Sequence, residues 1–247
     1  GTDNSGNQST CTAIVTVVDN IPPTAVCQNI TVELDAAGNA TIVAADVDGG
    51  STDNCAVAAL SATPTTFDCD DVGSNSVVLT VTDVNGNSST CTAIVTVEDN
   101  IDPSILCQNI TVVLDANGEA AIVAADIDNG TTDNCSSVGN GITLNVTPST
   151  FDCNDLTSTV VTLTATDENG NTSSCTATVT VEDNTAPTAL CQNLTLYLDA
   201  AGIASILPSD IDNGSFDNCS IVDIVVAPNS FTCAGVGANP VSLTVTD

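Results

Sequence analysis

Only two kinds of side chain in this sequence can do chemistry, carboxylates and thiols, and both recur at fixed spacing. The acids fall into three motifs: a linker (Glu98, Asp99, Asn100, Asp102), a D-x-D loop ending in T-D-N-C (Asp126, Asp128, Asp133), and a hairpin tip, T-D-x-N-G-N (Asp167). The same motifs return as Asp19, Asn20, Asp46, Asp48, Asp53 and Asp83, and as Asp183, Asn184, Asp210, Asp212, Asp217 and Asp247. No Lys, Arg or His stands against the 31 Asp and Glu, so the formal charge is -31. Two like charges 4 Å apart repel by about 4 kcal/mol at an effective dielectric of 20. Ca²⁺ relieves such crowding because it takes six to eight oxygens from carboxylates, amides and backbone carbonyls. The acids are therefore expected to bind Ca²⁺ where consecutive repeats meet. The competing reading is turn chemistry, since Asp, Asn and Gly are also what tight turns prefer.

The same composition excludes other functions. Phosphate neutralisation needs cations, so nucleic acid is not an expected partner, and neither is an anionic membrane surface. Without His or Lys there is no imidazole base and no Schiff base, and the chain is not expected to be an enzyme. Twelve Cys, none in a C-x-x-C pair, read as disulfides in an oxidising, extracellular setting.

The elements that must position these groups repeat. The stretch from Ala25 to Cys55 returns at 105–135 and 189–219, and Cys27, Cys107 and Cys191 stand 80 and then 84 residues apart. The expected division is 1–20 as the end of a preceding repeat, 21–100 and 101–184 as repeats, and 185–247 as a repeat lacking its last strand, all within a longer polymer. Each period alternates apolar and polar residues in short runs between turn signals, the pattern of an antiparallel β-sandwich. Ile30, Val32 and Leu34 share one face, a second strand is expected over 40–47, and Ala93, Val95 and Val97 line the last strand. No segment has a helical period, and Phe67, Phe151 and Phe231 read as core plugs at a strand corner. The fold expected is all-β: tandem immunoglobulin-like sandwiches in an extended rod.

Strand direction places Cys27, Cys55 and Cys91 at the incoming pole of a sandwich and Cys69 at the outgoing pole. Partners need Cα atoms roughly 4.4–6.8 Å apart, so bonds between poles are forbidden. The preferred pairing joins Cys55 with Cys91 and Cys135 with Cys175 inside repeats, and Cys69 with Cys107 and Cys153 with Cys191 across junctions. The alternative joins Cys27 with Cys55 and Cys69 with Cys91.

The recurring set PxxxCQN[IL]T, TDNC, TFDC, VTDxNGN and CTAxVTVEDN resembles the hyalin repeat (HYR) family of immunoglobulin-like modules. The resemblance is closer still to the Cys-rich form found in tandem in very large Bacteroidota surface proteins, gliding-motility adhesins among them. The resemblance implies an immunoglobulin-like fold, export, and a part in cell-surface architecture. The arrangement of acids is also similar, by analogy, to the Ca²⁺ junctions of cadherins. Partners would then be neighbouring repeats and, in a filament, other chains. A different class of function, a glycan- or protein-binding module, would use the insert at 136–146.

Overall fold

A computed structural model describes Gly1 and residues 4–247. Thr2 and Asp3 of the opening T-D-N-S-G-N, and the side chains of Ser137 and Val138 in the insert, lie outside the described residues. The chain divides into two units, Gly1–Ile101 and Asp102–Asp247, and the protein is all-β apart from single helical turns.

In the first unit the strands are β1 (Ile30–Glu33), β2 (Asn39–Thr41), β3 (Val57–Thr63), β4 (Thr66–Asp68), β5 (Gly73–Asp83) and β6 (Ser88–Glu98). One sheet has the order β1-β6-β5-β3, and β2 pairs with β4. The β-branched residues of β5 and β6 alternate as a half-buried sheet requires. Val77, Leu79, Val81, Ala93, Val95 and Val97 point inward and are at most 1% exposed, and Phe67 closes the core at 3%.

The second unit repeats this layout and continues it. Its first module contains β7 (Ile110–Val113), β8 (Glu119–Ala121), β9 (Ser137–Val138), β10 (Gly141–Thr147), β11 (Thr150–Asp152), β12 (Thr157–Thr166) and β13 (Thr172–Glu182). The sheet order is β7-β13-β12-β10-β9, with β8 on β11. The insert at 136–146 thus becomes sheet edge, β9 pairing in parallel with Gly141–Ile142. The next module has β14 (Ile203–Ser205) on β16 (Ser230–Thr232) and β15 (Asp223–Ala227) on β17 (Ser242–Thr246). Its small core is Ile206, Ile211 and Val226, with Phe231, Val241 and Leu243 against them. Among the described residues no helix is long and apolar enough to cross a membrane.

Two details differ from the sequence expectation. The run 40–47 does not continue as a strand but turns at Val43 into one helical turn, Ala44–Val47. The Asp46 carboxylate accepts the Val43 N–H at 2.7 Å, and the turn buries Val47 completely. Four residues are too few to show a helical period. The first strand also pairs in parallel with the last, Ile30 opposite Val95 and Val32 opposite Val97. Both run from the incoming to the outgoing pole, so no other pairing was open to them.

The parallel pair corrects the disulfides. Register with β13 places Cys107, three residues before Ile110, level with Thr176, because Ile110 lies opposite Val179. Cys107 is bonded to Cys175, at a Cα separation of 6.0 Å, and Cys27 to Cys91 at 5.9 Å. The expected Cys55–Cys91, Cys135–Cys175 and Cys69–Cys107 bonds are therefore excluded. Cys153 bonds Cys219 across the two modules of the second unit, so the expected Cys153–Cys191 bond is wrong in its partner, though a cross-junction bond exists. Cys11, Cys55, Cys191 and Cys233 are free thiols.

The junction bond needs space that only glycine leaves. A Cβ on Gly118 would meet Cys153 Sγ at 2.6 Å and the Asn218 carbonyl oxygen at 2.8 Å, at a φ of +76°. Gly202 has a φ of +73° and would meet only the free Cys233 Sγ, at 2.7 Å. Gly118→Ala is therefore expected to destabilise by about 2 kcal/mol or more, combining left-handed strain with overpacking. Gly202→Ala should cost less, because a free thiol can rotate away. Urea unfolding of the two variants, compared through their midpoints, checks the order.

Candidate metal centre

The T-D-N-C loop brings the acids together. In the second unit the Asp217 Oδ2 accepts the Cys219 N–H at 2.9 Å, a short loop closure that fixes the carboxylate. Its Oδ1 is buried and has no hydrogen-bond partner. The carboxylates of Asp183, Asp217 and Asp247 each offer an oxygen, all within 4.8 Å of one another. Asp183, from the linker, accepts the Thr185 N–H at 3.0 Å and the Asn218 amide at 3.1 Å. The same Asn218 amide donates to the Asp115 carbonyl at 3.1 Å. Asn218 thus joins the two modules beside the Cys153–Cys219 bond, and its own Oδ1 is buried without a partner.

The first unit contains a variant of this centre. Asp19 and Asp53 approach each other with the Cys55 thiol as the third group. Asp53 Oδ2 accepts the Cys55 and Ala56 N–H groups at 2.8 and 3.1 Å, leaving a buried Oδ1 unpartnered. Hydrogen bonds from Ile21 N–H, then from the Cys55 thiol and Asn54, hold Asp19 below the usual carboxylate range. The Asp19 carboxylate in turn pushes the Cys55 thiol up. A thiol is a poor ligand for a hard cation, so the three-carboxylate group would suit such a cation better. Asp133 and Asp167, also in the second unit, bring carboxylate oxygens within 4.8 Å of each other, and Asp133 Oδ1 is again buried and unpartnered.

The remaining acids have structural duties. Asp46, Asp126 and Asp210 accept the Val43, Val123 and Leu207 N–H groups at 2.7–2.8 Å and start the helical turns. Asp48, Asp128 and Asp212 close their loops on Ser51, Thr131 and Ser215. Asp83 and Asp167 hold the hairpin tips through Asn87 and Asn171. Asp102 accepts the Thr172 N–H at 3.1 Å, and Asp99 accepts that of Ile101 at 3.2 Å. Asn100 and Asn184 donate to Glu98 and Glu182. Asn20 is exposed. Among the described residues Asp46, Asp48, Asp102, Asp126, Asp128, Asp210 and Asp212 enter no group of three acidic or thiol ligands with the T-D-N-C aspartate. The sequence reading missed Asn54 and Asn218, whose signal was their place in every T-D-N-C.

Several of these hydrogen bonds set a pH dependence. Asp48 and Asp212 are held low by the hydroxyl and N–H of Ser51 and Ser215. At Asp83 partial burial pushes upward, but the amide groups of Asn87, Asn85 and Gly86 outweigh it and the carboxyl is lowered. A carboxyl lowered by folding contributes stability above its unfolded pKa and loses it as pH falls through the folded value. At saturating Ca²⁺ the melting temperature should hold from neutral pH to about 5 and fall as the pH drops through about 4, the ordinary carboxylate value, where the unfolded chain takes up protons that these folded aspartates do not. A decline beginning above about pH 6 would contradict this assignment.

No protein-family model matches the chain, and no curated protein matches it. Among solved structures it is similar to the protocadherin gamma B7 extracellular cadherin domains 1–4, with 11% identity, 84% of this chain covered and a TM-score of 0.34. It is also similar to mouse cadherin-23 EC22–24 (14%, 68% covered, 0.35) and Drosophila N-cadherin EC1–4 (11%, 66% covered, 0.37). The matched regions span 63%, 69% and 50% of those chains, respectively.

Proposed function

We propose that this chain is a structural stalk or filament segment of a large secreted or surface-attached bacterial adhesin, built from β-sandwich modules that disulfides staple and Ca²⁺ stiffens. The observation carrying the reading is the Asp183, Asp217 and Asp247 centre, with its buried, unpartnered Asp217 Oδ1 and no cation anywhere in the sequence. Asp183, Asp217 and Asp247 would hold the ion, with the Asn218 Oδ1 beside them. Ca²⁺ bound there would remove the carboxylate repulsion and fix the linker to the loop. The disulfides argue for an extracellular setting, and the resemblance to Cys-rich hyalin repeats supports a surface adhesin of the Bacteroidota type.

Mechanism in such a segment means restricted motion. The Cys153–Cys219 bond and the Asn218 bridge limit movement between the two modules of the second unit, and Ca²⁺ would add a third constraint. Having no Lys or Arg, the chain offers trypsin no cleavage site, so it should survive digestion intact, and rapid tryptic fragmentation would contradict that. Isothermal titration of the chelator-treated protein tests the metal reading. Heat of binding with a Kd of roughly 10⁻⁴ to 10⁻³ M supports it, and a flat titration at these concentrations overturns it.

A further inference from the structure

Three consecutive residues, Asp217, Asn218 and Cys219, tie the carboxylate centre to the disulfide between the two modules of the second unit. Asp217 Oδ2 accepts the Cys219 N–H at 2.9 Å, so the carboxylate and the cysteine backbone are fixed to each other. Cys219 Sγ is bonded to Cys153 of the preceding module. The Cys219 side chain packs on that module's core, the cluster that contains Leu114, Ile122 and Phe151. Cys153 Sγ lies 3.6 Å from the Asn218 carbonyl oxygen and 3.7 Å from that of Gly118. The bond is therefore seated between the 217–219 loop and the turn from Asp115 to Gly118.

The same turn receives the second arm of the loop. The Asn218 amide donates at 3.1 Å both to the Asp115 carbonyl and to Asp183 Oδ1. Three hydrogen bonds hold that turn in shape. The Asp115 carbonyl accepts the Gly118 N–H at 2.9 Å, and Asp115 Oδ1 accepts the N–H groups of Asn117 and Glu119 at 2.8 and 3.0 Å. Asn218 thus links this anchor to a linker carboxylate, while Cys219, the next residue, is bonded covalently beside it. Opening the disulfide frees Cys219 from the preceding module, and the third module has only Ile206, Ile211 and Val226 as its buried core to hold the loop in place. The loop that aims Asp217 at Asp183 then loses its covalent tether. With it goes the alignment that keeps the oxygens of Asp183, Asp217 and Asp247 within 4.8 Å of one another.

We infer that the Cys153–Cys219 disulfide and the Asp183, Asp217 and Asp247 centre are thermodynamically coupled, so that oxidation and Ca²⁺ lock this junction together. The inference rests on the metal reading of that centre. Such coupling is reciprocal: the factor by which the closed bond tightens Ca²⁺ binding is the factor by which bound Ca²⁺ disfavours reduction. Reduction by a small thiol such as glutathione proceeds by exchange. One glutathione thiolate attacks a sulfur of the bond and releases the other cysteine as a thiolate, and a second attacks the mixed disulfide and releases the first cysteine. Two glutathione thiols leave as one disulfide, and the two cysteines gain two electrons and two protons. In a Ca²⁺-rich medium the equilibrium lies further towards the closed bond, and loss of Ca²⁺ makes the junction easier to open.

The test uses the full chain with the free thiols Cys11, Cys55, Cys191 and Cys233 changed to Ser. It is equilibrated in glutathione buffers of graded ratio, with EDTA or with Ca²⁺ from about 0.1 to 10 mM, which spans the Kd of extracellular modules. After alkylation and cleavage at Asp and Glu, mass spectrometry reads the fraction of Cys153 still joined to Cys219. Saturating Ca²⁺ should raise the ratio of squared glutathione to glutathione disulfide at the midpoint about tenfold, or about 30 mV for this two-electron couple. In Asp217→Asn, which keeps an acceptor for the Cys219 N–H, the shift should vanish. An unmoved midpoint, with calorimetry showing Ca²⁺ bound to the same protein, would overturn the coupling and leave the metal reading standing. No Ca²⁺ bound would overturn both. A shift that persists in Asp217→Asn, or that the Cys107–Cys175 bond shares in full, would mean that the ion protects the whole fold, and would also overturn the coupling.

Discussion

Removing Ca²⁺ with EDTA is expected to lower the melting temperature of this protein by roughly 10–20 °C. An ion that binds only the folded state stabilises it by about 2.7 kcal/mol when its concentration is a hundred times Kd. For Kd of about 10⁻⁴ M that corresponds to about 10 mM Ca²⁺. One kcal/mol moves the melting point of a module of this size by roughly 4–8 °C. Asp217→Asn separates this effect from general charge screening. The asparagine Oδ1 can still accept the Cys219 N–H that Asp217 takes at 2.9 Å, so the loop survives while one ligand charge is lost. In EDTA the variant should be as stable as the parent or more so, because a repelling carboxylate is gone. With Ca²⁺ it should fail to gain what the parent gains. Equal Ca²⁺ responses in both proteins would show that the ion acts elsewhere.

Breaking the junction disulfide is the second large effect. Cys153 and Cys219 are separated by 66 residues, and closing a loop of that length constrains the unfolded chain by about 4 kcal/mol in the chain-entropy account. The Cys153→Ser, Cys219→Ser double variant should lose about 2–4 kcal/mol. The form of the loss matters as much as its size. The third module has only a small core, Ile206, Ile211 and Val226, and without its bond to the preceding module it should melt first, as a separate transition. Differential scanning calorimetry should then resolve two peaks in the second unit's unfolding. A single peak at the parent temperature would show that the bond carries no coupling.

Strands and core were legible in the sequence because alternation is a direct consequence of the pleat. Ile30, Val32 and Leu34, or Ala93, Val95 and Val97, could be assigned to a face without knowing any partner. The disulfides were not legible, because they depend on which strands are neighbours. Locating Cys27, Cys55 and Cys91 at one pole left three candidates for two places. Only the parallel register of the first and last strands decides between them, through pairs such as Ile110 with Val179. The acids show the same division. Their gathering near linkers could be read from spacing. Which of them close turns and which face one another depends on single N–H groups, such as that of Val43 taken by Asp46. Gly118 illustrates the remainder: its spacing suggests only a turn, and its role as the seat of a disulfide appears once Cys153 and Asn218 stand against it.

The claim that the acids are a metal centre is tested most directly by a crystal structure grown with Ca²⁺ and, in parallel, with Tb³⁺ for its anomalous signal. The account predicts a peak among Asp183, Asp217 and Asp247, with the Asp217 Oδ1 roughly 2.3–2.6 Å from the Ca²⁺. Clear density for those three carboxylates with no ion between them, at saturating Ca²⁺, would contradict it.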